Sequence, residues 1–566
     1  MSALEALPLL ALVAVALPAE ERLEFKQRCL DDLIAQTPGL LASQNVKTGR
    51  FGEGIWIVND QHAMLPLAVV WSTRADSNPY FHGKRLMGAI VAAGDALIDD
   101  QDETGKWVFR KKDGSTWGRI FMPWTYSRWI RTFALIRDAM PAAARARWEK
   151  ALRLGYSGIR KDLENGRIHN IPSHHAKGLY FASKALSEPE WGTFAAGFLR
   201  KVAASQKPDG YWSEHQGPVV AYGFVYVDSL GVYYSASGDE AVLPVLRKAA
   251  VFHSYFTYPD GSDVETVDER NPYHSGVRIP NAGFTVTAEG RGYAARQLRL
   301  RKDRLPPDEA ALLLLHGQEG PASGIDTRSD FDYRLASGDA AVRRRGPWYL
   351  VASAFTAPVP SSRWIQDRQN FLSVHHDRAG LILGGGNTKL QPRWSTFTFG
   401  DLSAFFHKPG DENPDFRPPD GLFHVPTGAR VVPGEGFSVE LDYGSRHGSL
   451  RTKVLDPSRI ECTWSGGGGL SGHATLLPRP GERFRTGADR SFQAGDEPFR
   501  LPPGDAEGVF DGERFQVSYP RGTAIEWPVL PHDPYKKDGS TETNQGRLVL
   551  DLAPGGPRTI VIRVKP

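Results

Sequence analysis

The sequence has little of what several classes of protein require. It contains only two cysteines, Cys29 and Cys462, and their wide separation argues against both a disulfide framework and a thiolate metal site. Its formal net charge of +3 over 566 residues gives no reason to expect nucleic acid or an anionic membrane as a partner. An acidic ligand would therefore have to be bound by a local group of side chains.

Residues 1–19 contain an apolar run, Leu7–Leu17, which is too short to span a bilayer, and no other segment reaches spanning length. The following Pro18-Ala19-Glu20 is compatible with cleavage by signal peptidase. However, Glu5 and the absence of lysine or arginine before the run are untypical of a signal peptide. A signal peptide predicts a secreted or periplasmic protein, whereas a plain first helix or a misplaced start codon leaves a cytoplasmic protein as the alternative.

The length and the aromatic content set the next expectations. A chain of 566 residues is too long for one ordinary core, so two domains are expected. The 14 Trp, 18 Tyr and 28 Phe residues suit the binding of sugar faces, although aromatic side chains also fill protein cores.

Residues 20–320 show the periodicity of amphipathic helices, separated by turns that begin with Asp-Gly. Recurring units of this kind predict helical hairpins stacked side by side, with the linking loops at one end. If the hairpins close on themselves, they form an α/α toroid, an incomplete barrel whose inner helix ends surround a cleft. The predicted helices are Glu21–Ala35, Leu86–Asp99, Trp129–Ala139, Ala142–Tyr156, Gly178–Leu186, Trp191–Ala204, Ala241–Tyr255 and Gly290–Arg301.

Residues 325–566 show period-two runs separated by glycine and proline, which predicts a C-terminal antiparallel β-sandwich. The fold class is therefore a multidomain α+β protein. The predicted strands are Trp348–Phe355, Asn370–His376, Gly380–Gly384, Ser395–Phe399, Phe437–Tyr443, Arg459–Trp464, His473–Leu477, Phe515–Tyr519, Gly522–Val529, Arg547–Leu552 and Thr559–Val564.

A first polar segment of the helical part is Asn170–His175. A proline two residues after Asn170 favours a helix start, which places His174 and His175 in the first turn. Taken alone, such histidines are more often satisfied loop residues than members of a site.

A second polar segment, Pro208–Leu230, has two glycine-containing turn signals and then a helical pattern. Tyr222, Tyr226 and Leu230 recur every four residues, so both phenols lie on one helical face, either as half-buried core aromatics or as site residues. Together the two segments supply donors for an anion and a pair of groups for proton transfer.

A helical toroid followed by a β-sandwich, with these two segments, resembles the heparinase II/III-like and alginate-lyase-like superfamily of polysaccharide lyases. The resemblance implies β-elimination on a uronic-acid-containing glycan, without a metal or organic cofactor. It implies that Asn170 neutralises the uronate carboxylate and that His174 or His175 is catalytic. It further implies that Tyr222, with Tyr226 as its rival, exchanges protons with the substrate.

Other polar residues are predicted to complete the cleft. Arg270 suits a bidentate pair with a uronate carboxylate, although its segment is equally compatible with a solvated loop. The predicted substrate-binding residues, besides Tyr226, are Trp124, Arg128, Glu214, His215, Arg270, Asn271 and His274.

The β domain contributes one polar strand that ends in His375-His376-Asp377. Because relatives bring a sandwich residue to the cleft, His375 is a further catalytic candidate. A structural metal at this cluster is the alternative, although successive strand residues point to opposite faces.

Two other functions compete with the lyase hypothesis. An inverting glycoside hydrolase needs two carboxylates about 6.5–9.5 Å apart, and Glu214 with Asp263 or Glu265 would supply them. The third hypothesis is a carbohydrate-binding protein without catalytic activity. The expected partner in each case is a polysaccharide or oligosaccharide.

Overall fold

The computed structural model shows a helical domain followed by a β-sandwich, as the sequence predicts. Residues 1–19, with the signal-peptide hypothesis, lie outside the described residues. The structure describes residues 21–52, 61–110, 114, 116–214, 216–359, 368–387, 391–405, 419–434, 436–486, 491–495, 498–533, 536 and 539–566.

Eleven α-helices occupy the described part of the helical domain. Several begin with proline in the first turn, where its missing N–H has no intrahelical partner to lose. The helices are α1 Lys26–Ala42, α2 Met64–Ser72, α3 Lys84–Asp100, α4 Pro123–Ile136, α5 Ala142–Asp162, α6 Asn170–Ala185, α7 Pro189–Ala204, α8 Val220–Ser237, α9 Leu243–Tyr255, α10 Ala288–Leu300 and α11 Pro307–His316.

Five of these helices form the inner ring of an α/α toroid. Helix α2 packs on α4, α4 on α6, α6 on α8, α8 on α11, and α11 on α2, while the remaining helices pack outside them. Lys177 and Asp228, each about two turns into its helix, form an ion pair between α6 and α8. The N-terminal ends of α6 and α8 therefore lie at the same end of the ring.

A β-hairpin is among the elements of the helical domain that differ from the sequence prediction. Helices were expected on both sides of the first Asp-Gly turn, whereas the structure has two short antiparallel strands, Trp107–Arg110 and Thr116–Ile120; Asp113 itself lies outside the described residues. Trp107 is buried and its indole donates to the carbonyl of Leu97 on α3. This buried tryptophan fixes the hairpin to the toroid. The two strands are too short for their hydrophobic alternation to be recognised in the sequence.

The strands of the described chain pair antiparallel. They are β1 Glu21–Leu23, β2 Trp107–Arg110, β3 Thr116–Ile120, β4 Gly320–Ala322, β5 Phe331–Arg334, β6 Ala340–Arg345, β7 Trp348–Ser353, β8 Leu372–His376, β9 Gly380–Leu383, β10 Phe397–Thr398, β11 Gly428–Val432, β12 Phe437–Tyr443, β13 Arg446–Asp456, β14 Arg459–Gly466, β15 Ser471–Leu476, β16 Arg483–Thr486, β17 Ser491–Gln493, β18 Phe499–Leu501, β19 Gly508–Gly512, β20 Phe515–Tyr519, β21 Ala524–Val529, β22 Arg547–Leu552 and β23 Pro557–Val564.

Two large sheets form the sandwich. One runs in the order β18-β21-β22-β15-β9-β8-β7-β6-β5, with β10 beside β15, and the other runs β11-β12-β13-β14-β23-β20-β19-β16-β17. Alternate residues of each strand face the core between them; in β12 the residues Phe437, Val439, Leu441 and Tyr443 are buried. Each sheet thus has one largely apolar face toward the shared core.

The first sheet also packs against the helical domain. Tyr349 and Val351 on β7 share a buried cluster with Phe256 and Tyr258, which follow α9. This interface fixes the sandwich beside the N-terminal end of the inner ring. Among the described residues, no helix has the length and apolar character that a membrane span requires.

Candidate active site

Glu214 connects the two polar segments that the sequence singles out. The Nδ2 atom of Asn170, at the start of α6, donates to Oε2 of Glu214 at 2.9 Å. The phenol of Tyr226 on α8 donates to the other carboxylate oxygen at 2.6 Å. Both helix entrances therefore meet at one carboxylate, which holds the amide of Asn170 in a fixed orientation.

Tyr222 and Tyr226, the two phenols predicted for the site, have different surroundings on α8. Tyr226 is buried and its ring stacks on Trp212, with centroids 5.1 Å apart. Burial and the adjacent Glu214 raise the pKa of Tyr226 far above its usual value, so this phenol is a neutral donor. Tyr222, one turn earlier, is half-buried, and the guanidinium carbon of Arg270 lies 5.0 Å from its ring centroid. Of the two, Tyr222 is the phenol with an open side and a cation beside it.

Asp268 joins the Arg270 loop to the start of α8. Its carboxylate accepts the backbone N–H of Val220 at 2.9 Å, the first residue of the helix, and that of Arg270 at 2.8 Å. The side-chain amide of Asn271 also donates to it, at 3.2 Å. Burial raises the pKa of Asp268 to about 6, against the opposing effect of these hydrogen bonds. Asp268 thereby sets the position of Arg270 relative to the helix that carries Tyr222.

The sandwich fixes the same two loops through Arg368. This side chain is buried, and it donates to the carbonyls of Val267 at 2.6 Å and Pro218 at 3.2 Å. Its guanidinium lies 3.9 Å from the carboxylate of Glu269, which also accepts the backbone N–H of Gln216 at 3.1 Å. One side chain of the β domain thus bridges the loop before α8 and the loop that carries Arg270.

A cavity of about 530 Å³ lies beside the start of α8. Ala221, Asp268, Asn271 and His274 line it, so two of the predicted substrate-binding residues face this space. Its size is in the range of ligand sites in proteins. His215, which is also predicted to bind substrate, lies outside the described residues.

His174 lies on the same face of α6 as Asn170, because four residues make about one helical turn. It is buried, its ring packs against Trp124 with centroids 5.7 Å apart, and both ring nitrogens lie 3.3 Å from Nζ of Lys177. Burial and the charge of Lys177 lower the pKa of His174 well below its usual value. The imidazole is therefore neutral, directly below the Asn170 entrance.

Comparison with known proteins shows which fold this is. No protein-family model matches the sequence, and no curated protein is similar to it in a sequence search. Among solved structures, a Paenibacillus xanthan lyase matches with a TM-score of 0.55 at 11% identity, over 95% of this chain and 57% of that one. A Streptomyces coelicolor A3 chondroitin AC lyase, in complex with chondroitin sulphate, matches with a TM-score of 0.54 at 13% identity, over 98% and 80%. This chain has the fold of polysaccharide lyases.

The likeness at these identities is one of fold, and the chain spans little more than half of the xanthan lyase. A heparan sulfate lyase from Pedobacter heparinus also matches, at 10% identity over 96% of this chain and 83% of that one, with a TM-score of 0.43. The toroid and the sandwich that the sequence predicts are both confirmed, and the two matches with TM-scores above 0.5 confirm the resemblance of the fold to lyases.

Within this lyase fold, His175 faces away from the Asn170 entrance. Its Nε2 atom lies 3.0 Å from the carbonyl oxygen of Phe121, which can only accept, so Nε2 carries the proton. Burial lowers the pKa of His175 to about 4. His175 is thus bound to the backbone before α4, whereas His174 lies on the face of Asn170, and a catalytic role for either histidine stays a prediction.

Arg128 differs from its predicted role as a substrate ligand. Its guanidinium makes two hydrogen bonds to the carboxylate of Asp308 on α11, of which the one from Nε is 2.7 Å, and a third to the carbonyl of Trp124. With its donors bound inside the ring, Arg128 joins α4 to α11. Trp124 is half-buried and its ring packs against His174. Part of the ring therefore belongs to the packed interior, and stacking of a sugar on the remainder stays a prediction.

His375 also differs from its predicted catalytic role. Its side chain has no exposed surface, its Nε2 atom lies 3.3 Å from a carboxylate oxygen of Asp260, and its ring stacks on Tyr258 with centroids 4.9 Å apart. A residue sealed between the domains cannot touch a substrate in this conformation. His375 instead belongs to the interface that holds the sandwich against the helical domain.

The structural metal considered for this strand finds no common site. His376 points to the opposite side from His375, with Nε2 3.1 Å from the carbonyl of Pro457, and Asp377 pairs with Arg344. In the part of the chain that the structure describes, no three histidine, cysteine or acidic side chains are grouped as metal ligands would be.

The carboxylates proposed for a glycoside hydrolase are all engaged. Glu214 binds Asn170 and Tyr226, and Asp263 pairs with Arg278, whose Nε atom is 2.7 Å away. Glu265 is buried and accepts the phenol of Tyr258 at 2.9 Å and the backbone N–H of Gly385 at 2.8 Å. The hydrolase hypothesis therefore gains no support from a poised pair of acids.

Sequence reasoning missed the residues that position the site. A charged residue within an apolar helical run is a usable signal for Asp228, and a lysine three residues after His174 is one for Lys177. Asp268 and Arg368 carry no such signal, because their partners are backbone groups on loops distant in sequence.

Proposed function

We propose that the protein is a polysaccharide lyase that cleaves a uronic-acid-containing glycan by β-elimination. The observation that carries the proposal is the carboxylate of Glu214, which binds Asn170 and Tyr226 and so brings the start of α6 to the helix that presents Tyr222. The reaction needs two groups at one place, a neutralising donor for the uronate carboxylate and a proton-transfer group for the adjacent carbon.

Asn170 is the neutralising donor. Glu214 uses one hydrogen of its amide, and the second is available to a carboxylate oxygen of the substrate. Asn170 is also the first residue of a sixteen-residue helix, where the exposed N–H groups and the helix dipole favour an anion. Neutralising the carboxylate makes the C5 proton more acidic, because negative charge then spreads into the developing enolate.

Tyr222 is the proton-transfer group. Its oxygen removes the C5 proton, and the same phenol then returns a proton to the departing glycosidic oxygen as the C4–O bond breaks and a C4–C5 double bond forms. The guanidinium of Arg270 lies over its ring and places a positive charge beside the group that takes the proton. The phenol takes one proton and returns one, so the reaction balances without added water, metal or redox cofactor.

The remaining residues hold the substrate and the site. Asn271 and His274 line the adjoining cavity and are proposed to bind sugar, together with Arg270. His174, neutral and next to Lys177, supports Asn170 from the next turn of α6. The lyase fold supports the proposal, and the Streptomyces protein of this fold, which was solved with chondroitin sulphate, suggests acidic polysaccharides as the class of substrate.

The test is an assay against a panel of uronic polysaccharides, read by the ultraviolet absorbance of an unsaturated uronate. We expect the absorbance to rise with at least one glycan. In Asn170→Ala the rate of this rise should be at least about 100-fold lower, as for loss of one stabilising donor. Reducing ends without absorbance would indicate a hydrolase, and binding without either product would indicate a carbohydrate-binding protein. Both outcomes contradict the proposal.

A further inference from the structure

A second cavity, of about 360 Å³, lies between the helical domain and the sandwich. Unlike the cavity at α8, it is lined chiefly by sandwich residues. We call it the Arg479 pocket; its lining includes Asp260, His274, Gly380, Arg479, Arg514 and Arg547.

Only one short loop separates this pocket from the cavity at the start of α8. Pro272, His274 and Ser275 line both spaces. The backbone N–H of Tyr273, in the middle of the loop, donates to the carbonyl of Gly385 on the sandwich at 3.1 Å, which fixes the wall. A polymer bound at Tyr222 and Asn271 would therefore reach the Arg479 pocket by crossing His274.

The charges around the pocket favour an anion. Arg514 is neutralised by Glu482, at 2.8 Å, and Arg547 donates its hydrogens to backbone carbonyls such as that of Gln545. Arg479 is exposed; within the described ranges its guanidinium makes one hydrogen bond, a long one of 3.5 Å, to the carbonyl of Ala379. Among the described residues no carboxylate lies within ion-pair distance of Arg479.

The one acid in the lining is already satisfied. Asp260 accepts the hydroxyl of Ser262 at 2.6 Å and lies 3.3 Å from His375. The His375 contact and the Ser262 hydrogen bonds, opposed by burial, keep the pKa of Asp260 well below its usual range. Its negative charge is thus shared within the protein, whereas the charge of Arg479 faces the pocket.

We propose that the Arg479 pocket binds an acidic sugar of the same polymer, on the far side of the 272–275 loop from the reacting uronate, with Arg479 as its ion-pair partner. This inference rests on the proposed function for the nature of the polymer, and it adds a second anionic subsite. A guanidinium recognises a carboxylate or a sulfate ester by paired hydrogen bonds, so either group would serve. The subsite predicts that affinity depends on oligosaccharide length.

The experiment measures binding in a Tyr222→Phe background, so that turnover does not consume the probe. The probes are chondroitin sulfate and oligogalacturonate, each as a disaccharide and a hexasaccharide, with cellohexaose as the neutral control, measured by calorimetry. We expect Arg479→Gln to weaken hexasaccharide binding about tenfold and to leave disaccharide binding unchanged. Arg483→Gln, an exposed arginine on β16 outside the pocket lining, is the matched control and should change neither.

Equal affinities in the two arginine variants would overturn the subsite, as would the absence of binding by both acidic hexasaccharides. Because Arg479 is exposed, its substitution leaves the core unchanged, and an unaltered melting temperature confirms that the variant is folded. The readout is independent of catalysis. A chain that binds the acidic hexasaccharide through Arg479 but yields no unsaturated product would retain the subsite and lose the lyase proposal.

Discussion

Lys177 and Asp228 form an ion pair in the interior of the toroid, with side chains 1% and 11% exposed. The pair joins α6, which begins with Asn170, to α8, which carries Tyr222. Its position about two turns below both entrances fixes the relative height of the two helices. The distance between the neutralising group and the proton-transfer group therefore depends on an ion pair that no substrate touches.

Breaking this pair should destabilise the protein strongly. Lys177→Met leaves Asp228 buried without its partner, and we expect the free energy of unfolding to fall by about 3–5 kcal/mol. The double variant Lys177→Met/Asp228→Leu removes the unpaired charge and should recover most of that loss. Denaturant titration measures both. An equal loss in the single and the double variant would show that the charge pair is not the source.

Tyr222 and Tyr226 should respond differently to removal of their phenolic oxygen. Tyr222→Phe should reduce the rate of unsaturated product formation by about 10²–10⁴-fold, as for loss of a general acid or base, with little change in melting temperature. Tyr226→Phe removes a hydrogen bond to a carboxylate and should cost about 1.5–3 kcal/mol of stability. If Tyr226→Phe lost the activity and Tyr222→Phe lost the stability, the proton-transfer group would instead be Tyr226.

Asp268 should make stability depend on pH near 6. Burial raises its pKa from 3.8 to about 6 in the folded protein, so between these values the folded state binds more protons than the unfolded state. Its stabilising contribution is present below pH 4 and is lost as the pH rises through 6. Unfolding of wild type and Asp268→Asn between pH 4 and 7 should show the wild type losing about 2 kcal/mol relative to the variant. Parallel curves would contradict this.

Arg368 should affect activity as well as stability, because it holds both loops of the site. Arg368→Met removes its bonds to the carbonyls of Pro218 and Val267, and we expect kcat/KM to fall at least about tenfold at a temperature where the variant is still folded. Arg393→Met is the matched control. Arg393 is also largely buried, but its partner Asp551 lies within the sandwich, so this change should lower stability and spare kcat/KM.

Much of the architecture follows from local pattern. Strand β12 has its predicted bounds because every second residue from Phe437 is apolar, and the same holds for Phe515–Tyr519 and Arg547–Leu552. The start of α6 at Asn170 was predictable from the proline in its first turn. The four-residue offset of His174 from Asn170 likewise places both on one helical face.

Other parts depend on contacts that a local pattern does not contain. Strand β13, Arg446–Asp456, was missed because its core-facing positions include Gly448 and Thr452, which break the apolar half of the alternation. The role of Arg368 depends on carbonyls 101 and 150 residues away in the chain. No periodicity marks a side chain whose partners are backbone atoms of distant loops, so the positioning of the site had to come from the fold.

Strand β1 pairs with β4 across nearly the whole helical domain, and the carboxylate of Glu319 accepts the backbone N–H of Phe25, 294 residues earlier. During synthesis, strand β1 consequently stays unpaired until the ribosome has made all of the helices. Contacts between residues so far apart in sequence form slowly, so we expect β1 and β4 to pair late in folding. A nascent chain arrested before residue 319 would expose that strand's edge to chaperones.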